Sequence, residues 1–271
     1  MPARPDIPDD VAAALRGLPE PAQRAVLDPL GRSRGPGLVG RPLPLYLPSL
    51  MGRTARARQA DGSTCGSAAL AMLALAGDPR LALRLASSAD PASAFAALQR
   101  SVKRATNRAA GIPVWPELLG TPPWGAARVA RYGSVEYTHR VVSGRRRASL
   151  RRHGVAPGEN APDETVFSAI AAAARAGVPV PLFTGGDLGR GPAAAVPRHV
   201  VLLTAVGPGG AGEEIASVYE PSSGTVHAIA LGDLQAPDGG GSLDPATRAA
   251  RIAALGGWPH VTWAVLPSAR S

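Results

Sequence analysis

The chain has 271 residues, of which 45% are hydrophobic, 18% charged and 4% aromatic. This balance excludes a disordered or fibrous chain and favours a sizeable globular domain whose core is mostly Ala, Leu and Val. The net charge is +9, yet all of the 29 basic residues except Lys103 are arginines. Beside so much Ala, Gly and Pro, that skew is what a GC-rich genome writes at ordinary surface positions. No nucleic-acid partner is therefore expected.

Residues 1–50 are rich in Pro and Gly and lack a sustained period, so they read as an extension on a domain spanning 51–271. Asp9 and Asp10 ahead of VAAALRGL suit the cap of a short helix, with acids at its positive end. Residues 31–48 carry too many Gly and Pro for a helix or a central strand and read as an extended arm. The segment 58–79, RQADGSTCGSAALAMLALAGDP, is a polar loop running into strong helix formers. The run is apolar nearly all round, which predicts a buried helix with Cys65 at its N-terminal end, stopped by Gly77-Asp78-Pro79.

Residues 80–110 continue as one or two Ala/Leu-rich helices, the second capped by Asp90 with Pro91 in its first turn. Residues 112–125 are loop-like, and 127–144 begin helical and then alternate as a strand. A basic connection follows, with Arg145–Arg147 and Arg151–Arg152; it reads as a solvated face or a patch for an acidic partner. Residues 163–180 predict an amphipathic helix capped by Asp163 and ended by Gly177. Strands are expected at 178–185, 198–207, 213–221, 225–231 and 258–266. Helices first and an antiparallel meander second argue an α+β class.

The single cysteine, Cys65, excludes an internal disulfide and Cys-rich zinc or iron–sulfur sites. A helix N-terminus favours thiolate, so Cys65 stands where a nucleophile would be activated. Acyl chemistry also needs a base, an orienting group and oxyanion donors. Gln59, six residues before Cys65, and the Cys65 backbone N–H are the candidate donors. His199, at the mouth of the apolar strand HVVLLTAV, is the candidate base. Glu220, at the end of the next strand, would lie beside it if the two strands pair antiparallel, and would fix its tautomer. The structural alternatives are a buried thiol, a strand-edge histidine and a loop glutamine.

His227 reads as a half-exposed sheet residue and His260 as an edge residue between Trp258 and Trp263. His139 and His153 fall in the basic region. None has a carboxylate cluster at ligand spacing, so no metal is expected. The glycine-rich stretches 207–212 and 239–241 do not match a phosphate loop and read as a hairpin loop and a surface loop.

The set Gln59, Cys65-Gly66-Ser67-Ala68-Ala69-Leu70-Ala71-Met72, Ala176-Gly177-Val178-Pro179-Val180, His199-Val200-Val201 and Glu220-Pro221-Ser222-Ser223-Gly224 resembles the papain-like cysteine peptidases. Among them it looks most like the bacteriocin-processing, double-glycine-leader peptidases and their relatives. In that family a Gln precedes a Cys-Gly helix start, a Gly-x-Pro-Val strand precedes the catalytic His, and a carboxylate–Pro turn follows. The likeness runs in order over about 59–231; the family's usual Asp-Pro is here Glu220-Pro221.

The resemblance implies a papain-like fold and a thiol hydrolase acting on a peptide or amide bond through a Cys acyl-enzyme, without a cofactor. The expected partner is a peptide or acyl-amide substrate. The alternatives are an acyltransferase or amidase using the same Cys–His pair, or a non-catalytic interaction module of the same fold. With no signal-like N-terminus and no run of 18 uncharged apolar residues, the expected location is cytoplasmic, export by another route being left open.

Overall fold

The computed structural model describes residues 6–35, 37–109, 111–116, 118, 120–142, 162–186, 197–210, 212–236 and 240–268. The first helices are α1 (Asp9–Leu15) and α2 (Glu20–Leu27), followed by the two-residue strand β1 (Leu43–Pro44). Next come α3 (Cys65–Gly77), α4 (Pro79–Ala86) and α5 (Pro91–Asn107). The short strands β2 (Arg108–Ala109) and β3 (Ile112–Pro113) form a separate hairpin. Then follow α6 (Pro123–Val129), β4 (Tyr137–Val141), α7 (Pro162–Arg175), β5 (Val180–Gly185), β6 (His199–Pro208), β7 (Glu214–Glu220) and β8 (Thr225–Ala230). The chain closes with α8 (Leu231–Leu234), α9 (Pro245–Ala254) and β9 (His260–Pro267).

The class is α+β. A seven-stranded antiparallel sheet in the order β1-β8-β7-β6-β5-β9-β4 is covered on both faces. Alternation along the strands sends Phe183, Val200, Leu202, Tyr219 and Val265 into the core built around α3. Leu182, Val201, Leu203, Val218 and Ala264 enter a second core with residues of α7, α8 and α9. Two-sided burial is why β5 and β6 read as nearly continuous apolar runs rather than as alternating ones.

Helix α3 is buried at every residue but Ala74, as its all-round apolarity predicts. Gly77, at its C-terminus, lies against the backbone of Tyr132 and Gly133; a Cβ there would stand 2.7 Å from Tyr132 Cα and 2.6 Å from Gly133 N. Asp78 and Asp90 cap α4 and α5, each accepting two backbone N–H groups of the first turn.

Several helices depart from the sequence reading. Within 1–50, α1 forms where expected, but Asp9 and Asp10 are its first residues rather than its cap, which is Pro8 with no side-chain bond; α2 is a further helix, with Pro21 in its first turn where no N–H is lost. The arm also enters the sheet, since β1 pairs with β8, and Leu30, Leu45 and Leu47 are buried with the α3 core. Helices α8 and α9 were likewise not foreseen. Helix α7 begins at Pro162, which places Asp163 inside its first turn rather than ahead of it. The side chain of Asp163, the basic stretch 145–152, His153 and most of the loop before His199 lie outside the described residues.

Candidate active site

Strands β6 and β7 run antiparallel, with Leu202 opposite Tyr219. The start of β6 therefore lies beside the end of β7, and His199 Nε2 comes 2.8 Å from Glu220 Oε1. Both side chains are buried. Glu220 is held by four donors. Oε1 accepts from the His199 ring and the Ser222 N–H (2.7 Å); Oε2 accepts from Ser222 Oγ (2.7 Å) and the Ser223 N–H (2.8 Å). Burial opposes the Glu220 charge. The bonds from His199, Ser223 and Ser222 outweigh it and hold the carboxyl far below the usual carboxylate range.

The Cys65 side chain also acts on the His199 ring, as a hydrogen-bonding and charged group that favours its protonated form. Burial by itself would strip the proton from the imidazole. The bonds and charges of Cys65 and Glu220 overcome it and raise the His199 pKa to about 9. Cys65 is the first residue of α3, so its side chain meets the ring where the helix dipole is positive and the first-turn N–H groups have no intrahelical acceptor. Gly66 allows a close neighbour: a Cβ there would lie 2.6 Å from Thr121 Cβ.

Gln59 is tied to the same turn. Its backbone N–H donates to Pro221 O at 2.8 Å, directly after Glu220. Its Nε2 donates to Asp61 O at 2.8 Å, which leaves the second amide hydrogen available. Its buried Oε1 meets no hydrogen-bond donor among the described residues. The loop around it is clamped by Gln99 of α5, which accepts from the Ala60 N–H (2.9 Å) and donates to Arg58 O (3.0 Å). The Tyr219 hydroxyl donates to Ala57 O at 2.6 Å. Sequence reasoning missed Gln99 and Thr121 as parts of this site, and named Ser222 and Ser223 only within the run after Glu220, without a role.

All four predicted residues lie in this one region: Glu220 is bonded to His199, Cys65 acts on the same ring, and Gln59 is joined to the Glu220-Pro221 turn through its backbone. Two of the other described histidines take different places, His227 being joined to the Glu220 turn through Thr225 and Ser223. His227 accepts or donates at Thr225 Oγ1 (3.0 Å), and burial lowers its pKa and keeps it neutral. His139 lies on β4, at the far edge of the sheet. A cavity of about 220 Å³ opens elsewhere, between residues 30–45 and the far end of β6, near Arg175, Thr204 and Ser217; none of the four residues lines it.

Among the described residues, no three His, Cys, Asp or Glu side chains are grouped to hold a metal, and no helix is long and apolar enough to cross a membrane. Comparison of the chain with protein-family models, curated proteins and solved structures found no match.

Proposed function

We propose that the protein is a papain-like thiol hydrolase that cleaves a peptide or amide bond through an acyl-enzyme on Cys65. The observation that carries this reading is the buried His199–Glu220 pair, 2.8 Å apart, whose ring is influenced by Cys65 at the N-terminus of a buried helix. A histidine whose pKa is raised to about 9 can hold the proton that a leaving amine needs, close to the thiol that would attack. The order Gln59, Cys65, His199, Glu220 along the chain, and the packing of the Cys65 helix against an antiparallel sheet, fit the papain-like pattern.

In the reaction, the Cys65 thiolate attacks the substrate carbonyl carbon. The oxyanion that forms is met by the Cys65 backbone N–H and the free hydrogen of Gln59 Nε2. The carbon–nitrogen bond then breaks as the His199 imidazolium gives its proton to the leaving amine. Neutral His199 takes a proton from water, which attacks the thioester. The acid product leaves, and the thiolate and imidazolium are restored. Glu220 touches none of the reacting atoms; it orients the ring and stabilises its charge.

The test is alkylation of Cys65 by iodoacetamide against pH, in wild type and His199→Ala. At pH 6.5 the wild type should be alkylated at least about tenfold faster than the variant. Superimposable profiles would remove the pair and with it the hydrolase reading.

A further inference from the structure

Helix α9 ends in a Schellman-type cap. Gly256 N–H donates to Ala253 O (3.2 Å) and Gly257 N–H to Ile252 O (2.8 Å), with Gly256 left-handed at φ +68°. The cap alone accounts for a glycine or asparagine at 256. It does not account for what the glycine faces. A Cβ at 256 would lie 2.1 Å from His199 Cδ2, 2.5 Å from Nε2 and 3.0 Å from Cγ. Those atoms belong to a ring anchored on Glu220, so it has no freedom to swing aside. The cap is fixed in turn to the strand beside His199: Thr184 Oγ1 donates to Leu255 O at 3.0 Å, and Thr184 is the cross-strand partner of His199.

We infer that Gly256 is a positioning residue for His199. The α9 cap sets bare backbone against the Cδ2–Nε2 edge of the imidazole, and this contact fixes the ring with Nε2 on Glu220. The inference rests on the reading of Cys65 and His199 as nucleophile and base. The neighbouring glycine supplies the control. Gly257 is also at positive φ, +91°, but a Cβ there would meet nothing within 4 Å. Alanine at either position strains the backbone; only at 256 does it strike the ring.

The experiment compares Gly256→Ala, Gly256→Asn and Gly257→Ala with wild type by two readouts. Asparagine tolerates left-handed backbone, so Gly256→Asn keeps the cap while adding the Cβ. The first readout is the NMR signal of the His199 Nε2–H bonded to Glu220; the second is the rate of Cys65 alkylation at pH 6.5. Both 256 variants should lose or displace the signal and slow alkylation at least about tenfold, while Gly257→Ala keeps both.

Equal behaviour of the 256 and 257 variants would overturn the inference. In wild type, a nuclear Overhauser contact between Gly256 Hα and His199 Hδ2 is expected, and its absence would overturn the inference even if the 256 variants do not fold. Wild-type Cys65 without low-pH alkylation, but with the Overhauser contact and the signal changes, would sink the hydrolase reading and leave the seating of the ring standing.

Discussion

At the scale of single residues, the most exacting position is Glu220. Each of its oxygens accepts two bonds, so neither is free to become an amide nitrogen. In Glu220→Gln the remaining Oε1 can still accept from His199. The new NH₂, in place of Oε2, points at the Ser223 N–H, donor against donor; Ser222 Oγ can rotate to accept, but the backbone N–H cannot. One unpaired buried donor costs roughly 1–3 kcal/mol. The variant also loses the negative charge that supports the His199 proton. We expect Gln to slow Cys65 alkylation at pH 6.5 about tenfold. Glu220→Ala, with nothing to orient the ring, should slow it more, on the order of 10²-fold. Small and equal effects in both variants would mean that Glu220 merely closes its turn.

At the scale of elements, the position of Cys65 depends on where α3 is pinned, and Gly77 pins its far end. Gly77 is not at positive φ, so conformation does not demand glycine there. Helix propensity favours alanine by about 1 kcal/mol. Against this stands backbone at 2.6–2.7 Å from the added Cβ. That backbone belongs to a tight bridge in which Tyr132 and Val135 exchange hydrogen bonds, and it cannot yield as a side chain would. Overpacking typically costs 1–3 kcal/mol, and against backbone the upper part of that range applies. Gly77→Ala should therefore lower the stability by about 1–2 kcal/mol in urea unfolding, and a stabilised variant would refute the close approach.

These elements also show what the sequence discloses. The buried α3, the five later strands and the His199–Glu220 adjacency were legible because each follows from a local pattern plus one rule of antiparallel pairing. Helix α9 carried a readable start, since Asp244-Pro245 repeats the Asp-Pro openings at 78–79 and 90–91, with Asp244 accepting from two first-turn N–H groups as Asp78 and Asp90 do. The glycine-rich stretch before it masked that signal. Gln99 and Gly256 were not legible in any window. Their roles come from contacts with residues about 40 and 57 positions away in the chain, which no local periodicity encodes.

At the scale of the whole molecule, the buried His199–Glu220 pair should shape stability against pH, while the exposed pairs Arg80–Asp10 and Arg175–Glu214 should matter little, being screened by solvent. His199 is raised in the fold from 6.5 to about 9, so its contribution is complete below about 6.5 and is lost as pH rises through about 9. Glu220 is depressed from 4.5, so its contribution is present above about 4.5 and fades as pH falls toward its lower folded value. The two overlap fully between about 4.5 and 6.5.

Acidification also increases the net positive charge of a chain already at +9, which destabilises any variant alike. The informative quantity is therefore the difference in Tm between wild type and His199→Gln. It should be largest between about pH 4.5 and 6.5 and shrink toward pH 9. Turnover should fall over the same alkaline range, because the imidazolium that protonates the leaving amine is the species being lost. A Tm difference that stays flat from pH 6 to 10, with Cys65 and Glu220 intact, would show that His199 carries no extra proton in the fold, and the imidazolium–thiolate pair would fall with it.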